Sequence, residues 1–244
     1  MIDEKLKWEA HTEYLENKLK LSIVMIKRIK KFIPQSEHLK LYNALFLPHL
    51  TYCISVWGGI SDNKLAKIFN LQKRCVRLLF GTVLTFDHQE YYMTCARART
   101  YTDHKAPKNF VLEHTKQIFN KNDLLILKNI YRYFSFLEVC KILKFKSPIS
   151  ISELLTISKQ PFKKLLNLPR ANLDITKESF VFSASKIWNE FLKRVFEECE
   201  ASKNGIVIPG SAQNSDLSTS MGTIKSRIKN CLLKDQKSGC EISW

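Results

Sequence analysis

Seven Gly and seven Pro among 244 residues come to about 6 %, half the average share of about 12 %. So few turn formers exclude collagen-like, linker-like and turn-rich all-β chains, and a chain this long can bury a core of its own. Thirty-nine Lys and Arg against 23 Asp and Glu leave a formal charge of +16, a field that draws polyanions, nucleic acid first and anionic membrane second.

The opening MIDEKLKWEA has neither a basic n-region nor an apolar h-region, and no apolar run approaches the ~18 residues that span a bilayer. The expectation is an intracellular protein, in nucleus or cytoplasm, with no membrane partner. Seven Cys stand at scattered spacings with no C-x-x-C, which fits neither a disulfide framework nor a zinc ribbon. They read as reduced, mostly buried thiols.

From Ala10 to Ile33 the apolar positions Leu15, Leu19, Ile26, Ile29 and Ile33 recur at helical spacing and predict one buried face. Lys20, Lys27 and Lys31 cluster on the opposite side with Arg28 beside them, and no acidic residue falls between Asn17 and Gln35. This helix is amphipathic and basic, and Pro34 stops it by lacking an amide. Ser36-Glu37 starts a second helix, with Leu39, Tyr42, Ala44, Leu45 and Phe46 carrying the pattern to a kink or restart at Pro48. The run PHLTYCISVW ends at Gly58-Gly59, where glycine takes left-handed angles cheaply. Ser61 then caps a helix whose Leu65, Ile68, Phe69, Gln72, Cys75, Val76 and Leu79 share a face. Lys67, Lys73, Arg74 and Arg77 lie on its other side, and Gly81 closes it.

Residues 82 to 112 show no clear periodicity and read as a connector. Helical patterning returns from Glu113 to Phe145 and from Phe180 to Phe196, with short elements between turns from Ser147 to Asp174. Residues 201 to 223 are rich in Ser, Gly, Asn and Thr and read as a flexible linker. A short amphipathic helix from Ile224 to Leu233 comes next, within a basic terminal segment of residues 224 to 244. The expected fold is mostly α: a helical bundle over 1–81, then a second helical region over 113–200, with irregular connectors.

Chemistry is thinly represented. The eight Asp include no adjacent pair, so nothing argues for carboxylates sharing divalent cations, and there is no Gly-rich phosphate loop. His49 and Cys53 stand four apart, a metal-ligand spacing with only two ligands, and core packing is the preferred reading. Trp57 and Trp188 read as core anchors. No cofactor or metal site is expected. What remains is the basic helical faces: Lys20, Lys27, Lys31, Lys73, Arg74 and Arg77 can each neutralise a phosphate, and Arg28 adjoins them.

Several strings go further. Asp3, Leu6, Trp8 and His11, then KLKLSIVMIKRIKKFIP, then the ending Pro48, His49, Leu50, Tyr52, Cys53 and Trp57, and LQKRCVRLLFG resemble the thumb region of non-LTR (LINE-type, jockey-like) retrotransposon reverse transcriptases. HTKQIFNKNDLLILKNIYRYFSFLEVCKILK, SFVFSASKIWNEFL and IKSRIKNCLL resemble the post-thumb tail, so the resemblance covers almost the whole chain. It implies a helical thumb that grips the backbone of template RNA or RNA/DNA duplex, with Lys20, Lys27, Arg28, Lys31, Lys73, Arg74 and Arg77 as contacts. In that family the paired catalytic aspartates sit in a palm upstream of the lead-in, and this sequence opens at the lead-in. The segment from Ser202 to Thr223 is longer than the family's usual gap, and the closing Cys-His knuckle of some members is absent. The expectation is therefore a non-catalytic remnant of an RNA-directed DNA polymerase whose partners are RNA or RNA/DNA duplex and the palm of a parent protein. The alternative is a degenerate fragment or protein-interaction module with no nucleic-acid role.

Overall fold

The computed structural model describes residues 7–81, 115–158, 165–202 and 217–238. Among these the chain is mostly helical, and its only β pairing is an isolated bridge between Ile157 and Leu166. The expected connector lies wholly outside the described residues, as does most of the expected linker.

The first helix, α1 (Glu9–Ile29), ends in a 3-10 turn over Lys30–Phe32 before Pro34. Leu15, Leu19 and Ile26 are buried, and Ile29 and Ile33 pack partly buried against the core. A second 3-10 turn, Gln35–Glu37, leads into α2 (His38–Leu45). Here the expected face is corrected: Leu41, Tyr42 and Phe46 are buried, whereas Leu39 and Ala44 face solvent. At 100° per residue Leu39 stands on the flank, and Ala44 on the far side, of the face that Leu41, Tyr42 and Phe46 define.

The PHLTYCISVW run is two short helices, α3 (Leu47–Thr51) with Pro48 in its first turn, and α4 (Ile54–Trp57). Between them Tyr52 is extended and Cys53 is left-handed at φ 50°, which costs a non-glycine residue about 1–2 kcal/mol. The buried Trp57 holds this corner by donating from Nε1 to the Tyr52 carbonyl at 2.8 Å. Gly58 ends α4 for a reason other than the expected one. Its φ is −70°, open to any residue, but a Cβ there would collide with the Tyr131 ring and the Ile54 carbonyl.

Helix α5 (Asp62–Phe80) buries Leu65, Ile68, Gln72, Cys75, Val76 and Leu79, as its periodicity requires. Next come α6 (Thr115–Lys121) and α7 (Leu127–Phe145). The buried residues of α7 include Leu127, Ile130, Tyr131, Phe136, Val139 and Ile142 and fall all around its axis, the pattern of a helix surrounded by others. It touches α3, α4 and α5 on one side and α10 (Phe180–Ser202) and α11 (Leu217–Ser238) on another. The buried side chains before residue 81 and after residue 115 therefore form one continuous cluster. Phe136 at its centre stacks on Trp188 at 4.7 Å and meets Phe191 at 4.5 Å.

The short helix α8 (Ile149–Leu154) lies in the stretch expected to hold short elements, and α9 (Asp174–Lys177) begins at its last residue. The final helix differs most from expectation. It begins at Leu217 rather than Ile224 and runs to Ser238. Ser, Thr and Gly in its first turns lower helix propensity but cost at most about 1 kcal/mol each, and burial of Ile228, Leu232 and Leu233 anchors its later turns to the core.

Candidate nucleic-acid interface

Helices α1 and α5 pack side by side, and two lysines report their relative direction. Lys64, in the first turn of α5, donates to the Lys7 carbonyl at 2.7 Å and pairs with Glu9 at 3.3 Å. At the other end Lys30 donates to the Leu78 carbonyl at 2.7 Å. Starts meet starts and ends meet ends, so the two helices run parallel. Their C-termini, each carrying roughly half a negative charge from unpaired carbonyls, come together at one end of the bundle.

The sequence places cations where this arrangement needs them. Lys27 and Arg28 lie in the last turn of α1, Lys31 in the next turn, and Arg77 in the last turn of α5. His38 adds a 2.8 Å contact from Nδ1 to the Leu79 carbonyl. Residues 27–31 and 74–78 are thus within two helical turns of the Lys30–Leu78 bond. Lys27, Arg28, Lys31, Arg74 and Arg77 are solvent-exposed, and none forms an ion pair with a described residue.

The other two expected contact residues are differently placed. Lys20 lies near the middle of α1 and pairs with Glu16 at 3.5 Å. Lys73 is half-buried, its ammonium 4.2 Å from the Phe69 ring centre, a cation–π contact. Both cations are engaged within the chain.

Sequence reasoning missed the role of Lys30. Its side chain reaches across to α5 at the shared C-terminal end. Helical spacing within α1 says nothing of this contact, because it joins residues 48 apart in the chain. The His49–Cys53 pair also needs correction. Both side chains are exposed, and because α3 ends at Thr51 the two do not share a helix. They are neither core packing nor a metal pair, and no group of three potential metal ligands occurs among the described residues. Cys75 is buried, Cys53 is exposed, and Cys140 and Cys231 are intermediate, all as free thiols.

The two tryptophan-bearing strings meet through His11. Its ring sits 5.9 Å from Trp8, edge-on, and 5.5 Å from Trp57. These residues make a core contact that joins the start of α1 to the end of α4. Trp57 and Trp188 are both buried anchors, as their placement in apolar runs implies.

No protein-family model, curated protein or solved structure matches this chain. No helix among the described residues is long and apolar enough to cross a membrane.

Proposed function

We propose that this chain is a non-catalytic thumb-and-tail remnant of a non-LTR retrotransposon reverse transcriptase, and that it grips the backbone of RNA or RNA/DNA duplex. The observation that carries the reading is the parallel packing of α1 and α5, which gathers Lys27, Arg28, Lys31, Arg74 and Arg77 at one end of a rigid helix pair. Backbone grip requires this: exposed cations on fixed helices, without groups set out to read bases. The thumb-like and tail-like strings of the sequence support the family, and the lack of an adjacent Asp pair supports the non-catalytic reading.

Duplex binding followed by fluorescence anisotropy across a salt series tests it. Five phosphate contacts give a slope of log affinity against log salt of roughly −4 to −5. Lys27→Ala, Lys31→Ala and Arg77→Ala together should flatten that slope by about 2 to 3. Absence of binding, or a slope that the triple substitution leaves unchanged, refutes the assignment of this end as the contact surface.

A further inference from the structure

The outward side of α1 is apolar as well as basic. Leu21 is 60 % exposed, Val24 47 %, Met25 49 %, Tyr14 52 %, and Phe32, in the turn after the helix, 87 %. At 100° per residue the four in α1 fall in a sector about 100° wide, opposite the buried face of Leu15, Leu19 and Ile26. Scattered exposed apolar side chains are ordinary, but a stripe along a whole helix marks a surface that is covered.

The charges beside the stripe say by what. Glu9, Glu13 and Glu16 share one flank of α1 with Lys20 and Lys27, all five within about 60°, and Lys31 follows in the 3-10 turn. Along this flank the first half is acidic and the second half basic. When two helices pack antiparallel, each flank meets the same flank of its partner in reverse order, so the acidic half of one copy faces the basic half of the other.

We infer that α1 is a self-association surface, on which a second copy of this chain packs antiparallel about a two-fold axis passing near Leu21. With that axis Leu21 meets its own copy, and Tyr14 faces Arg28 of the second copy, a cation–π pair. Phe32 covers the exposed Ala10 of the second copy. Glu16 faces Lys27, and Glu13 faces Lys31, each within about two residues of perfect register. The interface is isologous, as closed two-fold symmetry requires. A strip about 30 Å long is small for a specific interface, so the dimer is weak and forms at micromolar concentrations. It needs no nucleic acid, and because Lys27, Arg28 and Lys31 serve both surfaces, duplex and second copy compete for them.

Sedimentation equilibrium of the full chain at physiological salt decides the matter. The average mass should rise from 28.5 kDa towards twice that value between about 1 and about 100 μM. Leu21→Asp should hold the chain at the monomer mass while leaving the salt slope of duplex binding as it was, which separates this surface from the proposed function. Lys27→Glu with Lys31→Glu should abolish self-association, as should Glu13→Lys with Glu16→Lys. An equimolar mixture of these two double variants should form a heterodimer, and all four reversals in one chain should restore the homodimer. A monomer at every concentration, species larger than a dimer, a dimer indifferent to Leu21→Asp, or a mixture that fails to pair would each overturn the inference. Circular dichroism melts of every variant confirm the fold, since all five positions lie on the outer surface of α1 and the turn after it.

Discussion

Gln72 and Gln236 take consecutive backbone amides: the Oε1 of Gln236 accepts from Ile126 at 3.2 Å, and the Oε1 of Gln72 accepts from Leu127 at 2.9 Å. The two glutamines come from α5 and α11, and between them they anchor the entrance to α7. No Ser, Thr, Asp or Asn caps that helix, whose N-cap is Ile126, so its first amides depend on distant side chains. Each amide NH2 is used as well. Gln72 donates to the Tyr42 hydroxyl and the Leu125 carbonyl, both at 3.0 Å. Gln236 donates to Asn120 at 3.1 Å and to the Leu124 carbonyl at 3.0 Å.

Gln72→Leu keeps the volume but leaves the Leu127 amide and Leu125 carbonyl unpaired. Each orphaned buried group costs about 1–3 kcal/mol, so urea unfolding should show a loss of about 2–5 kcal/mol. Gln236→Leu strands Ile126 and Leu124 in the same way and should cost somewhat less, because Gln236 is not fully buried. A loss below about 0.5 kcal/mol in both would mean that water replaces the glutamines.

Gly58 has no room for a methyl group against Tyr131 and the Ile54 carbonyl. Gly58→Ala should destabilise by about 1–3 kcal/mol, read as a drop in melting temperature. The pair Gly58→Ala with Tyr131→Leu tests the cause: coupling between the two substitutions should be of the sign that relieves the clash with the ring.

His11 is enclosed by Trp8 and Trp57, and its Nε2 finds no hydrogen-bond partner among the described residues. Burial holds its pKa below the ordinary value of 6.5. In the window between the lowered pKa and 6.5 the unfolded chain binds more protons than the folded one, so stability falls as pH drops through that window and levels off below it. Unfolding free energies at a series of pH values should show this loss, and it should shrink in His11→Gln, which has no titrating ring.

Burial pushes the Cys75 and Cys140 thiols up to about 12, where almost no thiolate exists at neutral pH. Cys53 is exposed. Brief alkylation of the native protein followed by peptide mapping should label Cys53 before Cys75 and Cys140, with Cys75 modified only after unfolding. Rapid native labelling of Cys75 would place α5 differently.

Lys20 and Lys73 are held by Glu16 and the Phe69 ring, unlike the five cations at the shared helix end. Lys20→Ala with Lys73→Ala should therefore change the salt slope of duplex binding by less than about 1, well under the effect of Lys27, Lys31 and Arg77. An equal effect from both sets would spread the contact surface along the whole of α1 and α5.

Much of the local structure was legible in the sequence because it depends on periodicity. The buried face of α5 is the one its 3.6-residue spacing requires, Pro34 and Gly81 end helices where proline and glycine do, and Leu15, Leu19 and Ile26 are core residues. The basic character of α1 and α5 was legible too, since charge is a property of composition. What the spacing could not supply was any relation between segments distant along the chain. That α1 and α5 run parallel, that Lys30 reaches Leu78, and that Gln72 and Gln236 serve one helix entrance all depend on which surfaces touch. Periodicity also failed at Cys53, because its left-handed backbone breaks the helical angle between α3 and α4. Local propensity chose the elements and their faces; long-range packing chose which faces meet, because only contact between distant segments brings Lys30 to Leu78 and Gln72 to Leu127.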